Sequence, residues 1–270
     1  MTPTHVVRVF IENPDSQPQM SEVLMSLPLS LERSSSVAGA VAAIQGTRSW
    51  PASATRALAA GAIGIVINDP DPVPDSEIEP LRAMRQPVLL DQPYVSDPAT
   101  ELVRARSGEL GTRTLLVEST LQAPVRSDPS SVLLHHAALV RAVVGSITSP
   151  TLLTISRYGY TAKAVLPPGA AVILTGTLTD AGLPRAEIHL LAAPHRLSAV
   201  IYPSSTARPA TVSMVDAEGE VVLPSLYENG HRATWRRMLS CLADATVDDD
   251  LDDFVAHLAT VGQLFVESGA

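Results

Sequence analysis

The spacing of apolar and polar positions follows two different patterns along this chain, and the pattern changes near residue 118. In the first part, short apolar runs such as residues 5–11 and 63–67 alternate with stretches of helical spacing such as residues 51–61. Strands that alternate with helices are typical of a parallel sheet with covering helices. Residues 37–44, which are mostly small and apolar, are interpreted as one more of these helices.

Residues 86–98 combine an apolar strand with polar residues at its end. The strand lies between Pro87 and Pro93 and finishes with Asp91 and Gln92. In an open α/β sheet, ligands bind in the crevice beyond the carboxyl ends of the parallel strands. The pattern therefore predicts that Asp91 and Gln92 face an active-site crevice.

The second part begins with a helix and continues with strands. Asp128 suits the start of a helix over residues 128–145, and Gly145 suits its end. Six apolar runs with short connections follow, at residues 151–157, 170–178, 186–193, 196–202, 210–215 and 220–223. Such a series indicates an antiparallel sheet. Helical spacing returns over residues 231–242 and 249–265.

The predicted fold is therefore α/β followed by α+β. We expect a Rossmann-like domain with a parallel sheet over residues 1–118. Residues 119–270 are expected to form a substrate and oligomerisation domain, in which helices cover a large, mostly antiparallel sheet. The C-terminal helix can pack back on the first domain.

Composition narrows the class of protein and its partners. The chain has 270 residues, 46% of them hydrophobic, and a formal net charge of −9. We expect no nucleic-acid partner, because no basic surface suits a phosphate backbone. No leader segment and no apolar run of about 18 residues is evident, so no membrane partner is expected either. Cys241 is the only cysteine, which agrees with a reducing compartment and a cytoplasmic location.

The segment after the first predicted strand lacks the glycines of a dinucleotide-binding loop. Residues 12–20 read Glu-Asn-Pro-Asp-Ser-Gln-Pro-Gln-Met. Glycine normally provides the tight turn there and lets backbone N–H groups approach a pyrophosphate closely. Glu12 and Asp15 would repel phosphate instead. We therefore expect no cofactor, since NAD(P) should bind weakly or not at all; NAD(P) stays a possible cofactor, and no cofactor-binding residue is assigned.

The order of the segments, with residues 86–98 and 133–145, resembles the glucose-fructose oxidoreductase, inositol dehydrogenase and MocA (Gfo/Idh/MocA) family. In that family a strand ends in Glu-Lys-Pro, and its lysine lies beside the nicotinamide. The matching residues here are Asp91, Gln92 and Pro93. The resemblance thus implies an oxidoreductase scaffold in which glutamine replaces the lysine.

The resemblance also extends to the helix over residues 128–145. The family helix carries an Asp, a His four residues on and a second Asp three residues further. Counting back from Gly145 places His135 on the histidine, Ser131 on the first Asp and Ala138 on the second. With the phosphate loop, the lysine and both carboxylates replaced, the resemblance implies a degenerate dinucleotide site on a retained scaffold.

Three residues are predicted to be catalytic: His135, Asp91 and Gln92. Imidazole titrates near neutral pH, and the matched position of His135 faces the cleft in the family. Asp91 would serve as a general base if burial raised its pKa, although an Asp before Pro also organises turns. Gln92 can orient a carbonyl but cannot supply a lysine's charge or proton.

Six further residues are predicted to contact the substrate: Tyr94, Ser131, His136, Tyr158, Tyr160 and Lys163. Residues 157–163 place two phenols and the only lysine at the exit of a strand, which suits an anionic or aromatic ligand. A solvated loop is the alternative interpretation for Lys163. His136 points about 100° away from His135 on a helix, and no histidine pair has the spacing of metal ligands, so no metal site is predicted.

Three functions fit these patterns. The leading hypothesis is a small-molecule enzyme that performs a cofactor-independent acid/base step, such as a cyclisation, isomerisation or elimination. One alternative is an NAD(P)-dependent reductase with a non-standard phosphate loop. The other is a non-catalytic pseudo-oxidoreductase that binds a metabolite or a partner protein. Strands of the second sheet look more apolar than one buried face requires, so we expect a homodimer or higher homo-oligomer.

Overall fold

The computed structural model describes residues 6–27, 29–110, 114–167, 169–206 and 208–268. The chain divides into two compact units. Unit 1 contains residues 1–92 and 231–255, and unit 2 contains residues 93–230 and 256–270. The expected domain boundary at residue 118 falls inside a strand of unit 2. Residue 5 and residues 112–113, where two predicted strands begin, lie outside the described residues.

Unit 1 contains a five-stranded sheet in which every pair of neighbouring strands is parallel. Its strands are β1 (Val7–Ile11), β2 (Leu31–Ser34), β3 (Val41–Gln45), β4 (Gly64–Asn68) and β5 (Val88–Asp91), in the order β2-β1-β3-β4-β5. Its first three helices are α1 (Pro18–Ser26), α2 (Trp50–Ala59) and α3 (Asp75–Arg82). The predicted Rossmann-like parallel sheet is confirmed.

The connection between β2 and β3 contains no helix, so the helix predicted over residues 37–44 is wrong. Val41, Ala42 and Ala43 instead form the start of β3, and all three have no exposed surface. β3 lies between β1 and β4, where both faces of a strand are buried. A run of small apolar residues fits that position as well as it fits a helix, and the pairing with two neighbours decides the outcome.

Helices α6 (Gly230–Asp244) and α7 (Asp250–Ser268) follow the second unit in sequence, and most of α6 packs in unit 1. Trp235 and Met238 on α6 belong to the buried core that contains Val9, Val66 and Leu89. Gly64 at the start of β4 makes room for α6, because a Cβ there would lie 2.9 Å from the Met238 sulfur. Core contacts of Trp235 and Met238 therefore fix the position of α6 in unit 1.

Unit 2 is built on an eight-stranded sheet. Its strands are β6 (Thr114–Ala123), β7 (Thr148–Ser156), β8 (Gly159–Val165), β9 (Ala171–Leu178), β10 (Arg185–Ala192), β11 (Arg196–Ile201), β12 (Thr211–Val215) and β13 (Glu220–Val222), in the order β13-β12-β11-β10-β6-β9-β8-β7. Only β6 and β9 run parallel, and the other neighbours are antiparallel. Helices α4 (Pro98–Leu110) and α5 (Pro129–Val144) contact this sheet. The predicted large, mostly antiparallel sheet with helices is confirmed.

The segment at residues 157–163 is a hairpin and a strand, although the sequence suggests a strand exit. Arg157 and Tyr158 form the turn, and β8 starts at Gly159 and pairs with both β7 and β9. Gly159 has a φ of 147°, and a Cβ there would lie 2.1 Å from the Gly176 carbonyl oxygen. Glycine permits this turn because it has no side chain.

Candidate functional site

Asp91 and Gln92 lie at the end of β5, as the sequence predicts, and both are buried. Asp91 is 3% exposed and Gln92 is 4% exposed. β5 is an edge strand that pairs with β4 through Asn68 and Asp91, and the Asp69 backbone N–H donates to the Asp91 carbonyl, 2.9 Å away. The carboxyl ends of β4 and β5 thus hold several polar side chains at one edge of unit 1.

The Asp91 carboxylate is bonded to His231, the second residue of α6. The His231 Nδ1–H donates to Asp91 Oδ2. The Asp91 side chain is 2% exposed, whereas 20% of the His231 side chain is exposed. An oriented imidazole with one edge against a carboxylate is the arrangement that general acid/base catalysis uses.

The surroundings of His231 favour its protonated form. Burial by itself lowers the pKa of His231, but the hydrogen bond and charge of Asp91 raise it, and Asp69 and Glu22 add to this. The net effect is a pKa above the usual value for histidine. An imidazolium with this environment can donate a proton, and its conjugate base can take one back.

The loop that follows β1 is filled by the side chain of Gln17. Gln17 has no exposed surface, and its amide nitrogen donates to the Glu12 carbonyl at 2.5 Å. Its amide oxygen accepts from Asn68 Nδ2 at 2.7 Å. Pro14 and Pro18 begin the short 3-10 turn and helix α1 that follow, and neither has an N–H to donate.

These residues do not fit the pyrophosphate of a dinucleotide. A Rossmann fold holds that group with backbone N–H groups at the start of its first helix. Here the buried Gln17 side chain bonds Glu12 and Asn68 and makes no cap hydrogen bond to helix α1. Pro18 replaces an N–H, and the nearby Glu12 carboxylate bonds Arg56 at 3.4 Å. The loop after β1 therefore presents a proline and a carboxylate at a position where a Rossmann fold presents backbone N–H groups.

A cavity next to β2 retains features that suit a phosphate ester. It has a volume of about 620 Å³ and is lined by residues from the ends of β1 and β2, among them Phe10, Arg33, Ser34 and Ser35. An arginine near the end of the second strand is how Rossmann folds accommodate the 2′-phosphate of NADP. This cavity is a feature of unit 1 that favours a nucleotide ligand.

His136 lies in the interior of unit 2, where both of its ring nitrogens are bonded. It has no exposed surface. Its Nδ1 is 2.9 Å from the Tyr160 hydroxyl, and its Nε2 is 2.8 Å from the Ser119 hydroxyl, which donates to the Glu187 carbonyl. Burial lowers the pKa of His136 to about 3. His136 and Tyr160 are thus brought together as partners in a buried polar network.

His135 faces a different environment from His136. It is partly exposed and its charge acts on His257, a buried residue of α7 in unit 2. Burial, and then the positive charge of Arg141 and His135, lower the pKa of His257 to about 3. Ser131, four residues before His135, donates its backbone N–H to the capping carboxylate of Asp128 at 3.2 Å.

The other predicted substrate contacts are spread over unit 2. Tyr94 is buried, has a φ of 66°, and lies near enough to Tyr160 to contribute, after burial, to raising the Tyr160 pKa. Tyr158 is 55% exposed and Arg157 stacks on its ring. Lys163 lies on β8 with its side chain exposed. Tyr158 and Lys163 are therefore surface residues of the sheet.

Unit 2 also contains a cavity of about 200 Å³ beside the start of α4. Its walls include Asp97, Tyr202, Arg208 and Tyr227. Burial raises the pKa of Asp97 to about 6, although the Ala99 N–H bonded to its carboxylate opposes the shift. Arg208 lies over the Tyr202 ring, 4.6 Å from its centre.

Two histidines that take part in these sites do not stand out in the sequence. His231 follows Gly230 at the start of a helix, and 140 residues separate it from Asp91. His257 lies in a helix of ordinary amphipathic spacing. Both sit in the tail, and only the packing of α6 and α7 shows their neighbours. A histidine at the first turn of a predicted helix is the sole signal that could have drawn attention to His231.

The described ranges contain neither a metal-binding cluster nor a membrane-spanning helix. No three His, Cys, Asp or Glu side chains among them are grouped to hold a metal ion. None of the helices in the same ranges is long and apolar enough to cross a membrane.

Comparisons with known proteins find similarity at the level of structure. No protein-family model and no curated protein matches the sequence. UDP-N-acetylglucosamine 3-dehydrogenase GnnA from Acidithiobacillus ferrooxidans matches with a TM-score of 0.75 and 14% identity, over 96% of each chain. The 3-ketoreductase KijD10 from Actinomadura kijaniata, in complex with NADP, matches with a TM-score of 0.75 and 12% identity, over 97% of this chain and 98% of that one.

A third similar structure is the dehydrogenase MviM from Clostridium difficile, with a TM-score of 0.66 and 6% identity, over 98% of this chain and 99% of that one. The scaffold thus matches those of dehydrogenases and ketoreductases along nearly its whole length. At these identities the likeness concerns the fold. The chain has the fold of the Gfo/Idh/MocA-type oxidoreductases.

Proposed function

We propose that this protein is a cofactor-independent acid/base enzyme in which His231 transfers a proton and Asp91 orients it. The observation that carries the proposal is the hydrogen bond between the His231 ring and the buried Asp91 carboxylate at the carboxyl edge of the unit 1 sheet. Ligands bind at that edge in open α/β sheets. The raised pKa of His231 suits a group that exchanges protons near neutral pH.

Asp91 has the role of an orienting partner. Its carboxylate fixes the proton on Nδ1 of His231 and stabilises the imidazolium that forms when the ring accepts a second proton. Gln92, the next residue, is predicted to hydrogen-bond a substrate oxygen, because its amide can donate without carrying a charge. His135 stays a predicted second proton-transfer group.

The names of similar proteins suggest a class of substrate. GnnA is a sugar-nucleotide 3-dehydrogenase and KijD10 is a 3-ketoreductase. The C–H bond next to a ketone is acidic enough for a positioned base, and moving that proton needs no redox cofactor. We therefore propose that the substrate is a keto sugar or a related carbonyl compound, which the enzyme isomerises, cyclises or opens by elimination.

Proton exchange with solvent tests this proposal without knowledge of the final product. A 3-keto sugar nucleotide is incubated with the protein in D₂O, with no cofactor added, and loss of the α-proton signal is followed by NMR. We expect exchange above the buffer rate. A signal that disappears only when NADPH is added would favour the reductase alternative.

The reductase alternative has one specific observation in its favour, the cavity lined by Arg33, Ser34 and Ser35. Calorimetry with NAD⁺, NADH, NADP⁺ and NADPH separates the two proposals. We expect weak or undetectable binding of all four, because the Gln17 side chain and the acidic loop replace the donors that would hold a pyrophosphate. Binding of NADP⁺ or NADPH in the low micromolar range would instead support a reductase.

A further inference from the structure

Two separate links join strand β5 to helix α6 in unit 1. The first is the hydrogen bond between Asp91 and His231. The second runs through Asp250, in the first turn of α7, whose carboxylate contacts both elements. Its Oδ2 accepts the backbone N–H of Leu90 at 2.7 Å and also bonds the guanidinium of Arg237.

The second link attaches directly beside the first. Leu90 precedes Asp91 in β5, and Arg237 follows His231 by six residues on α6. Leu90 lies on β5, the edge strand of its sheet, and its backbone N–H donates to the Asp250 carboxylate. The Asp250 carboxylate thus bonds the backbone of β5 and the Arg237 side chain of α6 at the same time. The Asp250 side chain is only 12% exposed, so solvent screens this link poorly.

Other contacts hold Asp250 itself in place. The Asp250 backbone N–H donates to Asp248 Oδ1 at 3.2 Å, and Asp248 also lies 3.6 Å from Arg237. One turn further along α7, Phe254 packs edge-on against Trp50, with ring centres 6.0 Å apart. These contacts therefore hold the first turn of α7 in place within unit 1.

We propose that Asp250 is a positioning residue for the Asp91–His231 pair. By holding the backbone of β5 next to Asp91 and the arginine of α6 with one carboxylate, it sets how closely His231 approaches Asp91. The inference rests on the proposed role of that pair. Its test, however, uses the titration of His231 in the free protein and needs no activity.

The test compares Asp250→Asn with Asp252→Asn by NMR titration of the His231 ring. Asparagine keeps an oxygen acceptor for Leu90 but removes the Asp250 carboxylate, which bonds both Leu90 and Arg237 and whose pKa burial raises to about 7. We expect the His231 pKa to fall toward its ordinary value in Asp250→Asn, because contact with Asp91 loosens. Asp252→Asn is the matched control, since it removes the same charge from the same helix turn but breaks a bond to Arg82 of α3. Its His231 pKa should stay at the wild-type value.

A second comparison distinguishes positioning from direct charge effects. Besides Asp91, the acidic groups whose charge acts on His231 are Asp69 and Glu22, while Asp250 faces Asp248, Arg237 and the Leu90 N–H. If Asp250 acts through Asp91, the Asp250→Asn shift should vanish in an Asp91→Asn background. An unchanged His231 pKa in folded Asp250→Asn, or an equal shift in both backgrounds, would overturn the proposal. Absence of proton exchange with intact coupling would instead count against the proposed function alone.

Discussion

At the residue scale, the two histidines that matter most in this structure have opposite environments. His231 has its Nδ1–H against a carboxylate, and its pKa is raised. His136 is bonded only by neutral hydroxyls and has a pKa lowered to about 3. An imidazole that stays neutral in a sealed interior supports the fold, whereas one beside a buried carboxylate is suited to proton transfer.

The neutral state of His136 gives a signed prediction for stability. In the unfolded chain a histidine titrates near 6.5, whereas folded His136 binds a proton only near pH 3. The unfolded state therefore binds more protons in this window, and the stability that His136 contributes falls as pH decreases through 6.5. His136→Gln cannot titrate. We expect the difference in the free energy of unfolding between the wild type and His136→Gln to shrink by about 1 kcal/mol between pH 6 and pH 5.

Urea unfolding of both proteins at pH 8, 6 and 5 measures this difference. Comparing the two proteins cancels the contributions of Asp97 and Asp250, whose raised pKa values act in the opposite direction. A cost of His136→Gln that does not change with pH would mean that His136 has the same pKa in the folded protein as in the unfolded chain.

Residue patterns predicted where two residues of the candidate site lie in the fold. Asp91 and Gln92 could be placed at a strand end because they directly follow the apolar run that lies between Pro87 and Pro93. The partner of Asp91 could not be found in this way, since His231 lies 140 residues away and reaches it only through the packing of α6. Likewise, the sequence does not indicate which of the adjacent residues His135 and His136 on α5 is buried.

At the scale of elements, sequence patterns predict a helix or strand correctly where one face of the element is buried. They fail where pairing with neighbouring strands decides the secondary structure. The helix predicted over residues 128–145 corresponds to α5 because its cap, apolar spacing and final glycine agree. Residues 37–44 gave no such agreement. Their small apolar residues suit a helix locally, but pairing with β1 and β4 makes part of them the central strand β3.

Two glycines, Gly176 and Gly108, should respond in opposite ways when each is replaced by alanine. Gly176 in β9 lies under the Tyr160 ring, and a Cβ there would be 2.3 Å from Tyr160 Cε1. We expect Gly176→Ala to destabilise the protein by about 1–3 kcal/mol, because it pushes Tyr160 away from His136. Gly108 in α4 has open space around it, so Gly108→Ala should stabilise by about 0.5–1 kcal/mol. Thermal unfolding of both variants measures these changes in stability. Equal changes in the two variants would contradict the prediction.

At the scale of the whole molecule, self-association through the unit 2 sheet stays a prediction. Outward positions of the central strands combine aliphatic residues such as Ile173 and Val200 with charged ones such as Glu118 and Glu187, and several are only partly exposed. A face of this kind can be covered by a second copy. We expect sedimentation at tens of micromolar to show a dimer or larger species.

A charge placed on that face should disrupt the assembly. Ile173→Glu adds a carboxylate at the outward face of β9, whereas Leu183→Glu adds one in the loop between β9 and β10, where Leu183 is 51% exposed. We expect only Ile173→Glu to shift the protein toward the monomer. A monomeric wild type at tens of micromolar would contradict the prediction.

We propose proton transfer by His231, oriented by Asp91, on this oxidoreductase-like scaffold without a dinucleotide. The most direct measurement is the rate of α-proton exchange of a 3-keto sugar nucleotide in D₂O, without cofactor, for the wild type, His231→Gln and His189→Gln. His189 is the control because it lies in unit 2 and bonds Ser198 at 3.0 Å. We expect His231→Gln to reduce the rate by about 10²–10⁴-fold and His189→Gln to leave it unchanged. A folded His231→Gln variant with the wild-type exchange rate would contradict the claim.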